Sequence, residues 1–217
     1  MASYASWALT LGEHGANGFY ANAGFADYPP AYLYLLWPIG LLASQAPDPA
    51  AMASDLVKLP PILLDLAVGY VIYRLVLGWA WPGRRAEAMA LAAAALYVFN
   101  PVSFYDSALW GQSDAAGALI VLLGTAALIR GNSEGAAALA AAAALVKPQF
   151  GVVLIPLVAL TLIRRHLVRP GAGPRHAPWA PHALASWLTR HQGPLRLLTA
   201  ILAAGIAFFT LALPFGM

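Results

Sequence analysis

The sequence predicts an all-α, polytopic membrane protein, and three observations predict it. Of its 217 residues 61% are hydrophobic, and only 10% are charged. A soluble domain carries ~25% charged residues, so too little charge is present to solvate a globular surface. Mean hydropathy is +0.69, and uncharged stretches recur near the ~20 residues that cross a ~30 Å hydrocarbon core. Strand-like alternation is missing, which argues against a β-barrel. The net charge of +3 is thinly spread and makes no nucleic-acid surface. Zero cysteines exclude a disulfide scaffold and a Cys-ligated zinc or iron–sulfur site.

Each segment follows from local composition. Met1–Ala26 lacks the basic start of a signal peptide and carries Glu13, His14, Asn17 and Asn22, so it reads as an interfacial loop. Tyr28–Ser44 holds Tyr32, Tyr34, Trp37 and Pro38, which predicts an interfacial helix in preference to a span. Pro61–Trp79 is apolar except for Asp65 and Arg74. Their spacing sends them to different helix faces. Asp65 suits a polar bundle interior, and Arg74 can snorkel. Ala88–Tyr105 and Ala115–Ile129 carry no charge and read as an outward and a returning span.

Gly135–Ile163 is apolar except for Lys147, and Pro148 follows it. Proline disfavours helix at the preceding residue and removes a donor. The segment therefore predicts a short re-entrant-like hairpin with arms Gly135–Val146 and Phe150–Ile163, each ~18–21 Å long. Leu197–Met217 is uncharged and still apolar at the last residue, so the chain reads as one partial membrane domain of a longer protein, a natural short product being the alternative. Its parts are an extracytoplasmic stretch with an interfacial helix (1–57), a helical core (58–163), a cytoplasmic loop (164–196) and a last helix (197–217). That loop contains His166, His176, His182 and His191. Irregular spacing favours a solvated loop, with a surface helix near Pro181–Arg190, over a metal site.

Arginines orient the chain. Arg84, Arg85, Arg130, Arg164, Arg165 and the basic stretch to Arg196 belong on the cytoplasmic side by the positive-inside rule. The opposite face then collects Asp27, Tyr28, Lys58, Asp106, Trp110, Gln112, Asp114, Lys147 and Gln149. Polar groups near a bilayer are costly, roughly 2.5–3.5 kcal/mol for a charge at the centre, so their gathering asks for a reason. Carboxylates act as bases toward hydroxyls, lysines hold phosphates, and amides and aromatic rings suit sugars. The chemistry points to a lipid-linked polar substrate without choosing a reaction.

Four motifs in order carry a resemblance. Asp27-Tyr28-Pro29-Pro30, Lys58-Leu59-Pro60-Pro61 leading to Asp65, Asn100-Pro101 with Asp106-Ser107-Ala108-Leu109-Trp110-Gly111-Gln112-Ser113-Asp114, and Lys147-Pro148-Gln149 together resemble the C-type (GT-C) integral-membrane glycosyltransferases that use polyprenyl-phosphate sugars. The resemblance implies inverting, metal-independent transfer of a hexose, mannose or glucose, from such a donor to a lipid, glycan or protein acceptor. It places the site outside a bacterial inner membrane and asks for no cofactor. Asp27 becomes an assisting acid. Tyr28, Lys58, Asp106, Trp110, Gln112, Asp114, Lys147 and Gln149 become substrate contacts. The family's usual base matches no position here, because aligning its tryptophan on Trp7 puts the aspartate before Met1; the chain by itself is expected to be inactive. Two rival readings stand beside it: a transporter or flippase of a lipid-linked or small polar substrate, and a non-catalytic membrane subunit.

Overall fold

The computed structural model describes residues 2–79, 83–168 and 193–217. Every regular element among the described residues is helical. The α-helices are α1 (Ala2–Asn22), α2 (Leu33–Ala43), α3 (Pro49–Leu56), α4 (Leu59–Trp79), α5 (Arg84–Val98), α6 (Pro101–Phe104), α7 (Asp114–Ile129), α8 (Ser133–Val146), α9 (Pro148–Ile163) and α10 (Pro194–Ala212). A π-helical turn, Tyr105–Trp110, continues α6; another, Arg164–Val168, continues α9; and a 3₁₀ turn, Leu213–Phe215, follows α10. Among the described residues three stretches are long and apolar enough to cross a membrane: Pro49–Gly78, Pro148–Val168 and Pro194–Phe215. Arg85–Val98 with Pro101–Trp110, bent by 46°, makes a fourth if it is one span. The chain is an all-helical, multi-pass integral membrane protein with a helical hairpin at Lys147-Pro148.

Several details correct the sequence reading. Met1–Ala26 is not an interfacial loop, because residues 2–22 form α1. Tyr4, Trp7, Ala8 and Leu11 are all buried and share one helical face; overall polarity hid that stripe. Gly15, at φ 66, kinks α1, a backbone state that glycine enters at little cost. The span predicted over Ala88–Tyr105 is broken at Asn100, whose side chain caps α6 through Val102 N at 2.9 Å. The second hairpin arm is longer than predicted, since the turn after α9 brings it to 21 residues. Asp65 is buried and accepts a 2.7 Å hydrogen bond from Tyr97 Oη, as a bundle-interior carboxylate requires. Arg74 is exposed and donates to Tyr70 Oη at 3.0 Å. Helix α2 has eleven residues, ~16 Å at helical rise, about half a hydrocarbon core.

The contacts separate two compact units, residues 1–119 with 212–217, and residues 120–211. In the first, α1 crosses α2 at backbone contact. A Cβ on Gly12 would lie 2.7 Å from the Gly40 carbonyl, and one on Gly40 would run into the Ala8 carbonyl. Ala8, Gly12 and Ala16 are four residues apart, the small-residue spacing that lets helices approach closely. Also in this unit, α4 packs on α5, with Gly69 beneath Val98.

The second unit is built on the hairpin. Gly151 of α9 meets Ala144 of α8, where a Cβ would stand 2.6 Å from the alanine Cβ. Leu128, Ala136, Ala140, Ala143, Leu154, Val158, Leu162 and Ala200 form its buried core. One end of that core is polar. Arg196 Nε lies 3.3 Å from Glu134 Oε1, its Nη2 donates to Gly131 O at 2.9 Å, and Thr199 Oγ1 donates to Glu134 Oε1 at 2.7 Å. Ser133 Oγ and His166 Nε2 are 2.9 Å apart, and Arg165 Nη2 donates to Leu128 O at 2.9 Å. His166 and Arg196 are therefore buried partners, not members of a solvated loop. His176, His182, His191 and the surface helix expected near Pro181–Arg190 lie outside the described residues.

Two outcomes follow. Gly40→Ala should lower stability by about 1–3 kcal/mol through overpacking, while Gly78→Ala, with open space around it, should be neutral or slightly stabilising; thermal unfolding in detergent compares them. Arg196→Met leaves Glu134 as an unpaired buried carboxylate and should cost about 3–5 kcal/mol, most of it recovered in the Glu134→Leu/Arg196→Met double variant.

Candidate functional site

The first unit gathers its polar residues into two joined nests. The larger is centred on Tyr4. Its phenol donates to Gln112 Oε1 at 3.2 Å and lies 3.3 Å from Ser113 Oγ. Its ring meets Trp7, Tyr28 and Tyr32 at 5.4–5.6 Å between centroids, and Trp7 and Tyr28 are 5.3 Å apart, within the range of favourable edge and tilted contacts. Trp7 Nε1 donates to Phe25 O at 3.1 Å, and Tyr20 Oη to Tyr28 O at 2.8 Å. These two bonds fix the loop that carries Asp27 and Tyr28 against α1.

Burial pushes the Tyr4 phenol well above the ordinary tyrosine range, and the Tyr28 phenol adds to the rise against the opposing Ser113 bond. Tyr4 is therefore a neutral hydrogen-bond donor at physiological pH. Burial raises Tyr32 as well, with the nearby Tyr28 and Asp114 adding to it. Tyr32 Oη is buried without a hydrogen-bond partner among the described residues.

The smaller nest is the Asp65–Tyr97 pair, with the Asp106 carboxylate within electrostatic reach of the same phenol. The segment from Asp106 to Asp114 joins the two. Gly111, at φ 69 in the left-handed region, reverses the chain after the π-turn, and Gln112 N donates to Asp106 O at 3.0 Å. That turn aims Gln112 and Ser113 back at Tyr4 and starts α7 at Asp114, where a carboxylate complements the helix dipole.

Of the residues predicted for the site, Tyr28, Asp106, Gln112 and Asp114 thus fall in or between the nests. Trp110 stands apart on the surface, 53% exposed, its ring 6.3 Å from Tyr105. Asp27 is exposed, and Lys58 is half-buried between α3 and α4. Lys147 and Gln149 belong to the second unit: Lys147 is buried in extended backbone at the hairpin turn, and Gln149 is exposed. Sequence reasoning missed Tyr4 and Tyr97 as polar partners, and Glu134 with Arg196. The Tyr4–Trp7–Leu11 spacing was the available signal for the first. The others share no local pattern, since their partners lie 32 or more residues away.

Two grooves described in this unit are apolar. One is lined by Leu35, Ile39, Leu59, Pro60, Leu63 and Leu64; another by residues of α4 and α5 that include Leu66, Tyr70 and Val98.

Comparison with known proteins bears on the chemistry. A family model described as GPI transamidase subunit PIG-U matches residues 8–212. No curated protein and no solved structure matches the chain. The match overturns the reading as a hexosyltransferase: the family is described as a subunit of a transamidase, which agrees with the rival reading as a non-catalytic membrane subunit. The match points to protein partners in a complex and gives no support to the polyprenyl-phosphate sugar donor. Placement in a bacterial inner membrane is likewise unsupported. A C-type-like membrane architecture is loosely consistent with the match.

Tyr4→Phe removes the phenol that links α1 to Gln112 and Ser113. Losing these bonds, one of them to the buried Ser113, should cost about 1–3 kcal/mol, read as a lower unfolding midpoint. Tyr73→Phe, which breaks no such link, serves as the control.

Proposed function

Because the chain belongs to the GPI transamidase subunit PIG-U family, we propose that it is a non-catalytic membrane subunit that assembles with other protein chains of a transamidase. The single observation that carries this is the family match across residues 8–212. The geometry supports it in two ways. First, Tyr4 bonds with Gln112 and Ser113, and Tyr97 with Asp65, so each set ties helices together and holds a shape. That is what a subunit needs in order to present a fixed surface.

Second, the bent segment presents Phe99, Val102, Phe104, Tyr105, Leu109 and Trp110, all exposed. Its aromatic residues suit the membrane boundary. An exposed apolar patch of this kind marks a surface that lipid or another protein covers. We assign the partner contact to this patch, with Trp110 and Tyr105 as its anchors, since aromatic residues carry a large share of interface energy. Trp110 thereby keeps a binding role, toward a protein in place of a sugar.

The test is purification of the tagged chain from its own membranes in mild detergent. It should elute well above its 22.8 kDa, together with the chain that bears transamidase activity. A Trp110→Ala/Tyr105→Ala variant should lose that companion while unfolding at the unchanged temperature. Elution of the wild-type chain alone, together with hexosyl transfer by it, would return the rejected enzyme reading and end this one.

A further inference from the structure

Helix α4 carries an exposed stripe along its length. Leu59, Leu63, Leu66, Tyr70, Arg74 and Leu77 are all exposed. Their spacings of four, three, four, four and three residues keep them on one helical face. From Leu59 to Leu77 the stripe runs ~27 Å at helical rise, close to the ~30 Å of a hydrocarbon core. On the other side of the helix Asp65 and Val68 are buried. Beside the stripe an apolar groove of about 290 Å³ opens between α4 and α5, with Leu66, Tyr70 and Tyr73 on one wall and Leu91, Val98 and Phe99 on the other.

One member of the stripe does not suit lipid. Pro49–Gly78 is long and apolar enough to span the membrane, and Arg74 lies ~7.5 Å at helical rise before the end of α4 at Trp79. A charge facing hydrocarbon is costly, and an arginine near a helix end ordinarily escapes by reaching for the nearer interface. Arg74 bonds inward instead. Its Nη1 donates to Tyr70 Oη at 3.0 Å, and its guanidinium carbon lies 5.9 Å from the centre of the Tyr70 ring, within range of a cation–π contact. Tyr70 is one turn nearer the middle of the helix and lines the groove, so the charge is held at the groove wall.

No carboxylate of this sequence answers that charge. All nine acidic residues lie among the described residues, and none forms an ion pair with Arg74. A lipid phosphate sits at the membrane boundary, outside the hydrocarbon that Tyr70 faces. A second copy of this chain, docked on the same stripe about a two-fold axis, would set Arg74 against Arg74, which like charges oppose. An acidic residue on a neighbouring helix meets neither objection, because ionisable groups within the membrane pair with one another and a carboxylate matches the guanidinium fork.

We infer that α4 docks a transmembrane helix of a partner chain, and that this helix carries an Asp or Glu paired with Arg74 while its apolar side chains fill the groove beside Leu66 and Tyr70. Phe99 lines the groove and also belongs to the exposed patch of the bent segment, so the contact continues the surface assigned above. The inference rests on the reading of the chain as a subunit and adds the chemistry of its partner.

Photo-crosslinking tests it. Leu77, exposed and three residues from Arg74 on the stripe, is substituted by photo-reactive p-benzoylphenylalanine in the tagged full chain. The chain is irradiated in its own membranes, purified, and the joined peptide sequenced by mass spectrometry. That peptide should come from another chain, from an apolar segment of ~20 residues with an Asp or Glu within about two turns of the joined residue. Arg74→Gln should cut the product about ten-fold or more, and Arg74→Lys, which keeps the charge, should restore part of it. Both variants should unfold at the wild-type temperature, since Arg74 is exposed. A product with lipid alone, with a second copy of this chain, or with a segment that lacks a carboxylate overturns the inference. So does a yield that Arg74→Gln leaves unchanged, or one no higher in Arg74→Lys than in Arg74→Gln. Where the wild type still elutes with its companion chain in such a case, the subunit reading stands and only this inference falls; elution of the wild type alone ends both.

Discussion

A polar group held among apolar helices must find its partner inside the protein. Lipid offers neither donor nor acceptor, and an unmet group there costs several kcal/mol. That constraint organises both units. Asp65 has Tyr97, Tyr4 has Gln112 and Ser113, and Glu134 has Arg196 and Thr199. Each pair joins segments remote in the sequence, so each bond also fixes one helix against another. The polar groups do the orienting, while close approach at Gly12–Gly40, Gly69–Val98 and Gly151–Ala144 supplies dispersion contact.

The same small residues have an opposite consequence where no large side chain faces them. Between α8 and α9 the pairing of Gly151 with Ala144 closes the helices together. Within about two turns of that crossing Ala137, Ala141 and Ala159 line a gap, and the groove opens. Small side chains therefore act as glue at one crossing and as a vacancy at the next. Which of the two they are depends on where the neighbouring helix runs.

The four motifs that resemble C-type glycosyltransferases mark turns and caps as much as chemistry. Asn100 caps α6, Gly111 reverses the chain, and Pro148 divides α8 from α9. Such shaping residues do not by themselves name a reaction, because a fold hosts many functions and the site alone decides among them. Gln112, within one of these motifs, accepts the hydrogen bond of the Tyr4 phenol.

Composition and periodicity alone settle that this chain is a set of membrane helices. They also settle that it turns at Lys147-Pro148 and that Asp65 needs an inward partner. These are local matters: hydrophobic length, proline's missing donor and the cost of a lone carboxylate in lipid are all properties of a short window. The sequence did not reveal α1, since its buried stripe is diluted by Glu13, His14 and Asn17 on the other face. Nor did it reveal that Tyr4 would receive Gln112, that His166 would be buried against Ser133, or that Arg196 would close on Glu134. Those pairings span 33 to 108 residues, and nothing in either local window names the other. Only the packing of helices, which sets the distances between them, decides which polar groups meet.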